Sequence, residues 1–231
     1  MQQITPSIYQ LPLAYGAVNV FLIKDNDGLT LVDTGVPGSG KKIIAAIERA
    51  GKNLQDIRRI ILTHCHPDHA GGAAELKQLL NVPIWAHSAD APLLAQGISG
   101  RPMQASPGLF NWLVYQLVIK KMHAITPVQV DKALNDTEVL PIAGGLRVIH
   151  TPGHCAGHIC LLVEQEQLLI AGDICSNFPM MGIAFPTAYE DKALTLQSLR
   201  KAAALRFDKI VFGHGGAILH NANKKLAEKF A

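Results

Sequence analysis

Apolar positions come in short alternating runs at the start of the chain, at residues 8–11, 18–23 and 29–32. A period of two predicts strands, and Lys24-Asp25-Asn26-Asp27-Gly28 has the composition of a hairpin turn. The chain therefore opens with antiparallel strands instead of a βαβ unit. The period then lengthens. Residues 41–50 and 73–80 read as amphipathic helices, and 60–62 and 82–86 as buried strands, the strand–helix rhythm of an α/β half. Short strands return at 138–142, 146–150, 159–164 and 168–171. A helix at 189–205, a strand at 209–212 and a short helix at 224–230 complete the pattern.

One stretch departs from this rhythm. Residues 90–127, rich in proline and glycine, read as an insertion around the apolar run Leu109-Phe110-Asn111-Trp112-Leu113-Val114-Tyr115-Gln116-Leu117-Val118-Ile119. Only Gln116 and Lys120 share a polar side at helical spacing, so a helix here is expected to bury most of its circumference. It can roof a site, form a homodimer contact, or lie on a membrane surface ahead of Lys120-Lys121. A second apolar stretch, residues 177–186, is rich in Met and aromatics, a composition that suits adaptable apolar binding. We expect residues 108–123 and 178–185 to roof a pocket for a small molecule with an apolar part, with Trp112 and Phe178 in its wall.

Composition narrows the class. A chain of 231 residues, 48% hydrophobic, can bury a sizeable core as one domain, 1–231. Its net charge of +3 is too mild and evenly spread for nucleic-acid binding. No run approaches the ~18 apolar residues of a membrane span, and no leader pattern opens the chain. Cys65, Cys155, Cys160 and Cys175 form no Cys-x-x-Cys pair, and read as reduced thiols of a cytoplasmic protein.

The chemistry concentrates in Thr63-His64-Cys65-His66-Pro67-Asp68-His69-Ala70-Gly71-Gly72, directly after a predicted strand. Next-but-one residues of an extended chain share a side, so His64 and His66 can converge on one ion. After the turn at Pro67-Asp68, Asp68 and His69 can face a second. The bland alternative, a polar loop with scattered core histidines, fits a lone His better than four potential ligands at this density. The zincin helix, with His at i and i+4 around Glu, is absent. Gly35-Val36-Pro37-Gly38-Ser39-Gly40-Lys41-Lys42 has the spacing of a phosphate-binding loop, yet Lys42 stands where Ser or Thr must hold magnesium. We read it as a Gly-rich turn ahead of a helix.

His-x-His-x-Asp-His resembles the signature of the metallo-β-lactamase-fold hydrolases. Asp33 in Val32-Asp33-Thr34-Gly35, His154 in Thr151-Pro152-Gly153-His154, Asp173 in Gly172-Asp173 and His214 in Gly213-His214-Gly215 resemble the family's remaining motifs, in family order. The resemblance implies an α/β fold of four αββα layers, with residues 90–127 as a helical insertion. It implies that His64, His66 and His154 hold one divalent ion, that Asp68, His69 and His214 hold another, and that Asp173 bridges them. Asp33 would orient the metal loop from behind. Five imidazoles and two carboxylates, without a thiolate, suit zinc and tolerate iron or manganese. Two cations, two aspartates and a bridging hydroxide leave about one net positive charge, which favours anionic transition states. A shared water would lose its proton near pH ~7 and attack a polarised carbonyl or phosphoryl centre, with Asp68 as the proton carrier.

The pattern departs from each branch of the family somewhere. Asp173 is generally missing from true β-lactamases. The chain ends too soon after His214 for the glutathione-binding tail of glyoxalase II enzymes, and Ser176 stands where lactone-hydrolysing relatives place Tyr. A dinuclear hydrolase of a small ester, lactone or thioester, in the glyoxalase II and lactonase-like branch, is the reading that remains. Its rivals are a single-iron persulfide dioxygenase and a non-catalytic metal-binding module.

Overall fold

Side chains on a strand alternate between its two faces, and in the strand Val18–Asp25 both faces are apolar. Phe21 and Ile23 enter one hydrophobic core, Val20 and Leu22 another. A strand buried on both sides must lie inside a stack of layers. In the computed structural model, which describes residues 1–121, 124–178 and 182–230, two sheets pack face to face with helices outside each.

The first sheet runs in chain order through β1 (Gln2–Gln3), β2 (Ile8–Leu13), β3 (Val18–Asp25), β4 (Gly28–Val32), β5 (Ile57–Ile61) and β6 (Ile84–His87). After β7 (Gln104–Ala105), which lies outside it, β8 (Lys132–Leu134) closes this sheet. Its strands are antiparallel up to β4 and parallel from there on. The second sheet holds β9 (Val139–Leu140), β10 (Leu146–His150), β11 (Ile159–Val163) and β12 (Leu168–Ile170). Two small pairs involve β13 (Ser176–Phe178), β14 (Gly182–Ala184) and β15 (Ala188–Tyr189), the last on β7. The final strand, β16 (Lys209–Val211), adds to β12.

Three cores hold the layers. Ile43 and Ile47 of α1 (Gly40–Arg49) and Leu76 of α3 (Ala73–Leu80) pack on the outer face of the first sheet; the single turn α2 (Pro67–Ala70) precedes α3. Between the sheets, Phe21, Ile23 and Ile61 meet Val148, Leu161 and Ile170. Beyond α4 (Ala91–Gln96) and α5 (Leu109–Leu117), the helices α6 (Lys192–Ala203) and α7 (Ala222–Phe230) cover the second sheet through Leu199 and Leu226. This is the expected αββα order.

Strand direction places the chemistry. β4 and β5 are parallel, and β10, β12 and β16 share one direction because two antiparallel steps separate β10 from β12. The segments leaving these strand ends carry Asp33, His64–His69, His154, Asp173 and His214. The Gly-rich decoy is also accounted for: the Gly40 N–H at the start of α1 donates to Glu75 Oε2 at 3.0 Å.

One expectation needs correcting. No residue of α5 is buried, although the sequence predicted that most of its circumference would be. Residues 122–123 and 179–181, which belong to the two predicted roof segments, lie outside the described residues.

His87, ending β6, stacks on His150, ending β10, with ring centroids 3.8 Å apart. Burial, with repulsion from His150, holds the His87 pKa down at about 4. Below about pH 6.5 an unfolded chain protonates this ring, whereas the folded chain does not until about pH 4, so stability is lost as pH falls through that window and is unaffected above it. In urea unfolding, the loss between about pH 7 and pH 5 should be smaller in His87→Gln than in wild type by about 1 kcal/mol. Equal losses would show that the ring protonates freely in the folded state.

Candidate active site

The first ligand loop is tied down from behind. Asp33 adopts φ +63°, uncommon for a residue with a side chain, and is fully buried. Its carboxylate accepts hydrogen bonds from the Thr63 N–H (2.7 Å) and hydroxyl (2.8 Å), which fixes the chain where β5 ends. The same carboxylate takes the Nδ1 proton of His69 at 2.8 Å, leaving Nε2 to face forward.

The other ligand candidates are oriented in the same way. His154 donates from Nδ1 to the Ala188 carbonyl (2.9 Å) and His214 to the Ala17 carbonyl (2.5 Å), so both present Nε2 to the site. His158 accepts the Asp173 N–H at Nε2 (2.9 Å), so its proton sits on Nδ1 and points to the Thr151 hydroxyl 2.7 Å away. Gly213 is required for room: a Cβ there would lie 2.1 Å from Asp173 Oδ1 and 2.7 Å from His69.

Two sets of donor atoms converge. His64, His66 and His154 form one, and Asp68, His69, Asp173 and His214 the other. His66 Nδ1 lies 2.9 Å from His154 Nε2. Asp173 faces both groups: Oδ1 is 3.3 Å from His69 Nε2, while Oδ2 is 2.9 Å from His214 Nε2 and 3.8 Å from His154 Nε2. Asp68 Oδ2 stands 3.3 Å from His214. Among the described residues, His64 Nε2, His66 Nε2, His69 Nε2 and Asp173 Oδ1 are buried without a hydrogen-bond partner. Buried polar atoms are costly unless satisfied, and imidazole nitrogens with carboxylate oxygens are the donor set of a borderline divalent cation. The residues fit metal ions at both groups.

Electrostatics agrees. Burial holds the His66 pKa at about 4 and that of His154 at about 3, and pushes His64 well below its ordinary range, so all three are neutral with lone pairs to give. Burial also opposes charge in the second group, but there the paired charges outweigh it. Asp173 and Asp68 raise His69 and His214 well above the usual imidazole range, and these histidines hold both carboxylates well below theirs. The two carboxylates of the second group thus stay ionised and attract positive charge to it.

The site floors a cavity of about 790 Å³ whose walls include Val18, Val36, Met103, Tyr115 and Phe178. Phe178 lines this cavity. Trp112 is half exposed to solvent, and Val114, Tyr115 and Val118 are the α5 segment's contribution to the wall.

Three further residues support the ligand candidates. His158 fixes the Asp173 backbone through its Nε2. Asn19 donates to the Phe212 and Gly215 carbonyls on either side of His214. Buried Asp90 accepts from the Cys65 N–H (3.0 Å) and the Cys155 thiol (3.5 Å), joining the loops that carry His64, His66 and His154. Burial pushes the Cys155 pKa well up, so this thiol stays protonated and acts as a donor.

The model of the metallo-beta-lactamase superfamily matches residues 14–214, and the chain belongs to that superfamily of metal-dependent hydrolases. It is 30% identical over 214 residues to the probable metallo-hydrolase YflN of Bacillus subtilis, covering 85% of this chain and 80% of that one. Against the hydroxyacylglutathione hydrolase GloC of Haemophilus influenzae the identity is 28% over 210 residues, with 89% of each covered. The metallo-beta-lactamase family protein TTHA1429 of Thermus thermophilus superposes with a TM-score of 0.71 at 25% identity, over 98% of this chain and 79% of that one.

Removing the Asp33 carboxylate should release His69 without disturbing the core. Asp33→Ala is expected to bind metal about 10–100-fold more weakly than wild type, read by chelator competition. Unchanged affinity would leave Asp33 a purely structural residue.

Proposed function

We propose that this enzyme is a two-metal hydrolase of a small ester, lactone or thioester with an apolar part. The observation that carries the reading is the Asp173 carboxylate, turned with one oxygen to His69 and with the other to His214 and His154. His64, His66 and His154 would hold one ion and Asp68, His69 and His214 the other, with Asp173 between them. This all-nitrogen-and-oxygen donor set suits zinc, and also iron or manganese. When bound, two such ions polarise a carbonyl and supply a hydroxide at neutral pH.

The protein's own residues position and move the rest. Asp68, on the cavity floor beside His214, orients the nucleophile and carries its proton to the leaving group. Met103, Tyr115 and Phe178 take the apolar part of the substrate and keep water away. The relative named as a hydroxyacylglutathione hydrolase makes acyl thioesters the first class to try. The four cysteines are unpaired and buried, which supports a reducing compartment.

The test is a hydrolysis screen of acyl thioesters, esters and lactones on metal-loaded enzyme. We expect kcat/KM to rise up to a few-fold for each added methylene, since each contributes up to ~0.8 kcal/mol when buried, and Phe178→Ala to flatten that rise. Asp68→Asn should keep the fold and lose at least ~10²-fold in turnover. Oxygen consumption with a persulfide and no hydrolysis would replace this reading with the single-iron oxygenase.

A further inference from the structure

The two-sidedness of α5 has no use in hydrolysis. Toward the protein, Val114 and Tyr115 line the cavity, and the Tyr115 hydroxyl donates to the Met103 carbonyl at 2.7 Å. Toward solvent the same helix shows Leu109 (73% exposed), Phe110 (61%), Trp112 (51%) and Leu117 (61%). A contiguous apolar face of this kind marks an interaction surface.

Charge identifies what the surface meets. Residues 91–130 contain no Asp or Glu, and of their three basic residues Arg101 pairs with Asp90 and Glu190, which leaves Lys120 and Lys121 as the positive charges beside the apolar face. Residues 176–189, which contribute Ser176, Phe178 and Pro186 to the cavity wall, contain no charged residue. Lys120 and Lys121 form the turn directly after α5. Aromatic and Leu side chains beside lysines, with no acid nearby in sequence, are the composition of a helix that lies in a lipid interface. A second copy is a poorer occupant. Pairing the patch with itself about a two-fold axis would bring Lys120 and Lys121 of both copies together, with no acid in the segment to offset them.

We propose that the outward face of α5, with Lys120 and Lys121, docks on an anionic lipid surface. Docking sets the cavity wall formed by α5 against the membrane, and apolar substrates can enter from the lipid. The helix lies in the interface and does not cross it; no described helix is long and apolar enough to span a membrane. The docking is independent of the chemistry at the metal groups, so it can fail or hold without the hydrolase reading doing the same.

The test uses the metal-loaded protein and phosphatidylcholine vesicles with and without phosphatidylglycerol. The protein should sediment with the anionic vesicles, and raising the salt should release it. With Trp85→Phe leaving Trp112 as the one indole, emission should shift to the blue on binding and be quenched by brominated lipid. Phe110→Ser with Leu117→Ser should abolish binding, and Lys121→Glu should weaken it by more than about five-fold, with far-ultraviolet dichroism unchanged. If the paired serine variant does not fold, Lys121→Glu and the quenching of Trp112 still decide the matter. Equal binding to neutral vesicles or none to either would overturn the proposal. So would a dimer in light scattering that Leu117→Asp dissociates, since a second copy would then cover the face.

Discussion

The Asp173 carboxylate is the contact on which the site depends. It leaves the end of a strand in the second sheet and faces His69, which belongs to a loop of the first, as well as His154 and His214 from its own sheet. The two groups of donor atoms therefore exist together only when the sheets pack. The inter-sheet core of Phe21, Ile23, Ile61, Val148, Leu161 and Ile170 supplies that packing, and a core shift of even a methylene would be felt as a change in distance at the site.

Precision at the site comes from a layer of residues that never need to touch a substrate. Asp33, the Ala17 and Ala188 carbonyls, and His158 each take one polar function of a site residue and so decide which atom is left facing the centre. Asp90 does the same for backbone, gripping the loops around Cys65 and Cys155. These partners are main-chain atoms, buried carboxylates and one buried imidazole. They cost little entropy to hold and keep each ligand in one tautomer.

Much of this was legible in the sequence, for identifiable reasons. His64, His66, Asp68 and His69 betray themselves because four potential ligands fall within six positions, and Asp33, His154, Asp173 and His214 stand just beyond apolar runs that end as strands. The layers follow from doubly apolar strands such as Val18–Asp25. What stayed hidden is contact between distant positions. Asn19 reaches Phe212, Asp90 reaches Cys155, and His158 meets Asp173 through a backbone N–H that no side-chain pattern can record. Trp112 lies off the cavity lining for a different reason. An apolar residue in an all-apolar helix gives no sign of which side is covered, and here the covered side belongs to Val114 and Tyr115.

The central claim is that Asp173 holds two ions at once. Anomalous diffraction from crystals of the metal-loaded protein tests it most directly. The account predicts two peaks, one among His64, His66 and His154 and the other among Asp68, His69 and His214, with one Asp173 oxygen directed at each or a single oxygen shared. A single peak, or an Asp173 side chain turned away from either ion, would contradict it.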